Sequence, residues 1–166
     1  MKKKFPAMLL CFFLLEGLYN LWTLRPVNVQ YVYSDAGSTV DLVVDHLPWT
    51  DRDKIAWYLT RRDEFKKKYP LLEWTSNSYY IIDIGKGFIK FEGNPSEDLR
   101  YENLICFPTI KSDMNCVVKN YLLIVDENPD SNTLFYMFSE FGSQIVYQLT
   151  PEGKIEFIPQ PETSME

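Results

Sequence analysis

At 166 residues the chain suits a single domain, and a composition of 46% hydrophobic and 24% charged residues excludes both a disordered polymer and a multi-span membrane protein. Its 17 Lys+Arg stand against 23 Asp+Glu; setting aside Lys2, Lys3, Lys4 and Glu16 leaves 14 against 22, a net charge of −8 on the remainder. Such an acidic body is unsuited to nucleic acid, whose phosphates require clustered cations.

The chain opens "MKKKFPAMLLCFFLLEGLYNLWTLRP". Three lysines precede the uninterrupted apolar run at residues 7–15, a length typical of a secretion-signal core and short for a membrane span. Apolar character resumes after Glu16 with Leu18, Tyr19, Leu21, Trp22 and Leu24, so residues 5–24 match one bilayer crossing as a helix, with Tyr19 and Trp22 at the depth of an interfacial aromatic belt. No pair of small residues suited to cleavage lies between Leu15 and Pro26, and Cys11 lacks the small residue that precedes a lipoprotein acceptor. The expectation is a retained anchor over residues 1–24 rather than a cleaved signal. Glu16 opposes it, since an acidic group deep in a span costs about 2 to 3 kcal/mol, and it reads as a tolerated charge near the far leaflet. The lysines bias the amino terminus to the cytoplasm. In a bacterium the expected location is therefore the inner membrane, single-pass, with residues 25–159 in the periplasm.

After Pro26, "VNVQYVYS" alternates as a strand with Val27, Val29, Tyr31 and Tyr33 on one side. "DAGS" is turn chemistry and "TVDLVVDHL" a second strand, so the two form an antiparallel hairpin. The clearest helix follows. Thr50 caps "DRDKIAWYLTRRDEFKKKY", Asp53 holds the reciprocal capping position, and the segment is acidic at its start and basic at its end. Ile55, Tyr58, Leu59, Arg62, Phe65 and Tyr69 share a face that is apolar apart from Arg62, and Pro70 ends the helix. The basic run "RRDEFKKKY" reads as a solvated helix face.

Seven strand-like runs complete the body: "YYIIDIG", "GFIKFE", "ENLICF", "NCVVKNYLLIV", "TLFYMFSE", "SQIVYQLT" and "KIEFIP", separated by turn formers such as "GKG", "GNPSED", "DENPDSN" and "TPEGK". The fold expected is α+β: an N-terminal membrane helix, then an antiparallel β-sheet meander packed with one long helix. The acidic end, residues 160–166, reads as a disordered tail.

Chemistry-bearing residues are few. Cys106 and Cys116 flank a turn-rich segment, and in an exported body a disulfide is preferred over two free thiols or half of a metal site. It would contribute about 2 to 3 kcal/mol. His46, the single histidine beside "LPWT", reads as structural. There is no nucleophile elbow, no phosphate-cradling glycine loop and no H-E-x-x-H. The carboxylates Asp41, Asp45, Asp51, Asp53, Asp83, Asp126, Glu127 and Asp130 read mostly as solvated surface, and "DENPDSN" lacks the glycine and closing glutamate of a calcium loop. No cofactor and no metal are expected. Trp49, Trp57 and Trp74 bracket the helix and Tyr79 follows it; most should be core, and any exposed beside acidic groups would form a patch for a cationic protein partner.

The lysine-led segment ending in "RPV", the "LPWTDRDKIAWYL" helix entry, the "CFP…NC" pair and the closing "YQLTPEGKIEFI" resemble the enterobacterial putative membrane protein family over residues 2–158. The resemblance implies a small membrane-anchored protein with an exported domain, and it brings no catalytic residue. The expected function is a non-enzymatic, membrane-anchored protein that binds a protein partner; one concrete form is an immunity-type protein that neutralises a toxin entering the envelope. The alternative is an envelope enzyme using paired carboxylates.

Overall fold

The computed structural model describes residues 4–91, 103–138 and 143–159, with side chains from Met8 onward. Its elements are α1 (Lys4–Thr23), β1 (Val29–Ser34), β2 (Thr39–Val44), α2 (Asp51–Lys68), β3 (Asn77–Asp83), β4 (Ile89–Lys90), β5 (Leu104–Cys106), β6 (Met114–Val118), β7 (Tyr121–Glu127), β8 (Thr133–Phe138), β9 (Gln144–Leu149) and β10 (Ile155–Ile158). Seven strands form one sheet in the order β1-β2-β3-β7-β8-β9-β10, and β4-β6-β5 form a second. The "GNPSED" turn and the residue 160–166 tail lie outside the described residues.

The hairpin of β1 and β2 is closed by Asp35, whose Oδ1 accepts the backbone N–H groups of Gly37, Ser38 and Thr39 at 2.8, 3.1 and 2.9 Å. At the other end of the chain, Gly153 takes a φ of 77° in the β9–β10 turn, where Gly153 N donates to Thr150 O at 2.9 Å. A side chain there would be strained in the left-handed region.

The expected architecture needs correction on three counts. First, the large sheet is not an antiparallel meander, because β2 and β3 run parallel, with Thr39 opposite Ser78 and Val44 opposite Asp83. The long helix between them returns the chain to the edge it left, so the next strand must enter in the same direction. Second, "NCVVKNYLLIV" is two strands in two different sheets, broken at Lys119 and Asn120, and the small sheet had no counterpart in the expected fold. Third, among the described residues no helix is long and apolar enough to cross a membrane. The nine-residue apolar run of α1 rises only about 14 Å, against a hydrocarbon core of about 30 Å, and beyond it Glu16, Gly17, Tyr19 and Asn20 dilute the helix.

The helix α2 does not lie closely on the sheet either; the close backbone approaches are between strands. It reaches the sheet through large side chains. Tyr58 extends to Tyr79 at 5.5 Å and to Phe135 at 6.3 Å between ring centroids, and Ile55, Tyr58 and Phe65 join one cluster with Val40, Leu42, Val44, Ile81, Leu123, Val125 and Met137. On the opposite face, Val43 and Ile82 pack with Phe107 and Val117 of the small sheet. Because β2 and β3 are covered on both faces, their sequences read as nearly continuous apolar runs.

Cys106 and Cys116 are direct register partners on β5 and β6 and are joined by a disulfide. It closes a separation of 10 residues over the Phe107 and Val117 cluster. Reducing it, or replacing both cysteines with serine, is expected to lower stability by about 2 kcal/mol, read as a matching fall in urea midpoint at unchanged m-value. An unchanged midpoint in reductant would show that the small sheet is held by packing alone.

Candidate functional site

Two polar and aromatic clusters sit at the two ends of α2. The amino-terminal one joins α1 to the body. Tyr19 donates its hydroxyl to the Asp53 carboxylate, and Trp22 donates its indole N–H to Leu47 O at 3.2 Å. The Trp22 ring lies 5.3 Å from His46 and 5.9 Å from Trp49, and Trp49 is also 6.4 Å from Tyr19. Arg25 pairs with Asp45 at 3.1 Å while stacking over Trp22 at 5.9 Å, and the buried His46 Nδ1 lies 2.6 Å from Asp45 Oδ1. Asn28 completes the shell around Asp45 through its backbone and side-chain N–H groups, both at 3.0 Å. Burial opposes the charge on Asp45, but these donors outweigh it and hold the carboxyl below its ordinary range. Thr50 caps α2 by accepting Asp53 N–H at 3.2 Å and gives its own hydroxyl to the same carboxylate that takes Tyr19. Hydrogen bonds from Thr50 and Tyr19 hold Asp53 below the ordinary carboxylate range.

The remainder of α1 touches little. Met8, Leu9, Leu10, Phe12, Phe13, Leu14, Leu15, Leu18 and Leu21 are exposed on every side of the helix, at 54 to 74%. Residues 8–15 of α1 are thus apolar and uncovered by the body on every side.

The carboxyl-terminal cluster surrounds a buried carboxylate. Glu127, 6% exposed, ends β7 on the same face as Leu123 and Val125. Its Oε1 accepts Tyr58 Oη at 2.8 Å and Arg62 Nε, and its Oε2 faces Lys66 Nζ at 2.6 Å. This carboxylate forms the floor of a cleft of about 460 Å³ whose walls include Arg62, Lys66, Pro70, Leu71, Asn77 and Pro129. Burial first, then the Glu127 charge, push the Tyr58 hydroxyl far above the ordinary tyrosine range, so it stays a hydrogen-bond donor at any physiological pH. The same two causes push Tyr79 up to about 12. For Arg62 burial works against the charge, yet its bond to Glu127 prevails and its pKa is raised.

The four aromatic residues proposed from sequence as a partner patch are not brought together. Trp49 belongs to the α1 junction, and Trp57 is buried beneath Arg61, 5.1 Å from its ring, with an indole nitrogen that finds no partner among the described residues. Tyr79 is core and presents only an edge to the cleft, while Trp74 is 76% exposed on the segment that forms one cleft wall. The basic run is more than a solvated face, since Arg62 and Lys66 converge on Glu127. Glu127 itself is buried rather than a surface carboxylate. Both members had a sequence signal: Arg62 interrupts an apolar helical face, and Glu127 continues the alternation of Leu123 and Val125.

No curated protein and no solved structure matches the chain. The family described as "Enterobacterial putative membrane protein (DUF943)" matches residues 1–158, which takes in the apolar helix, its aromatic junction and the cleft alike, and the chain belongs to that family.

Proposed function

We propose that the protein is a non-enzymatic binding protein attached to a membrane of the bacterial envelope through α1, with its body on the oxidising side, presenting the α2 cleft to a protein partner. The single observation that carries the attachment is the uncovered apolar surface of α1, fixed at its end to the body by Tyr19 and Trp22. Side chains of this kind favour lipid over water by about 25 cal/mol per Å². The helix seats itself in lipid as an anchor and need not cross. Tyr19, Trp22 and Trp49 then occupy the depth at which amphipathic rings prefer to lie.

The disulfide supports an oxidising compartment. A binding role is supported by how Glu127 is used: each oxygen is engaged by a donor, which suits a positioning group and not a free general base. Asp41, whose burial and Asp35 neighbour raise it to about 6, does not line the cleft.

Fractionation of cells expressing the full chain tests the attachment. Retention in the membrane pellet after alkaline carbonate is expected, with release when Leu10, Phe13, Leu14 and Leu18 are changed to serine. A carboxyl-terminal reporter that folds only under oxidising conditions should be active. Recovery of the unaltered chain in the soluble fraction, or an inactive reporter, would overturn the reading.

A further inference from the structure

The α2 cleft has a chemistry that names its ligand class. Glu127 occupies only one side of each of its two cations. Arg62 is held through Nε, and its two terminal nitrogens take no partner among the described residues; Lys66 has Glu127 as its one ion-pair partner there. The Arg62 and Lys66 side chains are 31% and 45% exposed and both line the cleft. Asn128 adds a third donor, since its Oδ1 accepts Asp130 N–H at 3.0 Å and leaves the amide N–H₂ without a partner among the described residues. Two cations share one buried carboxylate at the floor, and the second acid whose charge acts on Arg62, Asp63, is exposed to solvent. The rim residue Glu73 is exposed and too well solvated to substitute for a ligand.

We infer that this cleft receives a carboxylate presented by a protein partner, gripped bidentately by the terminal nitrogens of Arg62 and flanked by Lys66 and Asn128. The inference rests on the partner-binding reading above and deepens it. A guanidinium fork matches a planar carboxylate with two parallel N–H···O bonds. Arg62 is already pinned by a buried anchor on a helix, so little side-chain entropy remains to be lost on binding. Pro70, Leu71 and Pro129 lower the dielectric around the pair and strengthen it. The cleft, at about 460 Å³, admits the carboxyl group together with the residue that carries it. It also lies about 14 Å along α2 from the α1 junction, counted from Asp53 to Arg62.

The test is a titration of the full chain in detergent micelles, followed by the Arg62 Nε–H and Asn128 amide resonances. Four probes are used: N-acetylglycine for a chain-terminal carboxylate, N-acetylglutamate N-methylamide for a side-chain carboxylate, N-acetylglycinamide as the neutral control, and inorganic phosphate. Saturable shifts at about 1 to 10 mM are expected for the carboxylates and none for the carboxamide. The tighter of the two carboxylates identifies the source. Lys66→Gln and Arg62→Lys should each weaken binding about tenfold, and Arg62→Lys keeps a cation beside Glu127 so that folding survives. Equal binding of the carboxamide, tighter binding of phosphate, or wild-type affinity in both variants would each overturn the inference. Crosslinking in intact envelopes separates the two layers of the argument. A partner captured equally by wild type and Arg62→Lys removes the carboxylate assignment and leaves partner binding standing, whereas no partner at all removes the binding reading.

Discussion

Changing Glu127 to alanine is expected to lower the stability of the body by about 3 kcal/mol, the low end of what breaking a buried ion pair costs. Two terms set the figure. Tyr58 is fully buried, and without its acceptor its hydroxyl is left unsatisfied at a cost of about 1 to 3 kcal/mol. Arg62 and Lys66 are partly exposed and can turn to water, so their share is discounted for solvent screening. Glu127→Gln keeps an acceptor for Tyr58 and should cost about half as much. Tyr58→Phe should cost about 1 kcal/mol. In Glu127→Ala combined with Tyr58→Phe the losses should fall short of additive by about 1 kcal/mol, because the second change removes the hydroxyl that the first orphaned. Urea unfolding of the four variants at constant m-value makes the measurement. Additive losses, or a Glu127→Ala effect below about 0.5 kcal/mol, would mean that the carboxylate is solvated and does not position the cleft.

How far the sequence revealed this arrangement depends on the range of the interaction involved. Local signals held. Thr50 and Asp53 announced the start of α2 and Pro70 its end, and the Asp35 turn and the first hairpin followed from side chains that bond within four residues. What failed was pairing across distance. Nothing in "TVDLVVDHL" and "YYIIDIG" says whether they run parallel; that is decided by the 18-residue helix between them, which carries the chain back across the sheet. The break within "NCVVKNYLLIV" was hidden because Lys119 and Asn120 interrupt a run that is apolar on both sides, while the two halves serve different sheets. The membrane span was misjudged by counting apolar residues across Glu16 and taking Tyr19 with them, although Gly17 and Asn20 dilute the run and Tyr19 gives its hydroxyl to Asp53 of α2. The cleft was partly legible. Arg62 on an apolar face demanded a buried acid, but choosing Glu127 from 23 acidic residues required the strand alternation as a second condition.

A second acid is placed where its charge is unwelcome, and removing it should stabilise the protein. Asp41 lies on β2 beside Tyr33 of β1 and Tyr80 of β3, its register partners. Burial, with a smaller contribution from Asp35, raises it to about 6 from an ordinary value of 3.8. The neighbouring Tyr121 is itself raised, first by burial and then by the Asp41 charge. A carboxyl raised in the folded state favours the protonated form there. Its contribution is complete below about pH 4 and is lost as pH rises through about 6, a difference of about 2 kcal/mol once the partial exposure of the group is discounted for solvent screening. Asp41→Asn should therefore raise stability at pH 7.5 by about 1 to 2 kcal/mol and flatten the pH profile between about 4 and 7, while leaving stability near pH 4 almost unchanged. The acid limb belongs to other groups. Asp35, Asp45 and Asp53 are all held below the ordinary range, so their contributions are present at higher pH and disappear only as pH falls below about 4, in both proteins alike. Unfolding free energies of the two chains at pH 4, 5.5 and 7.5 decide the matter. A parallel offset at all three would assign the gain to packing, and a variant less stable at pH 7.5 would show that the Asp41 charge is satisfied where it stands.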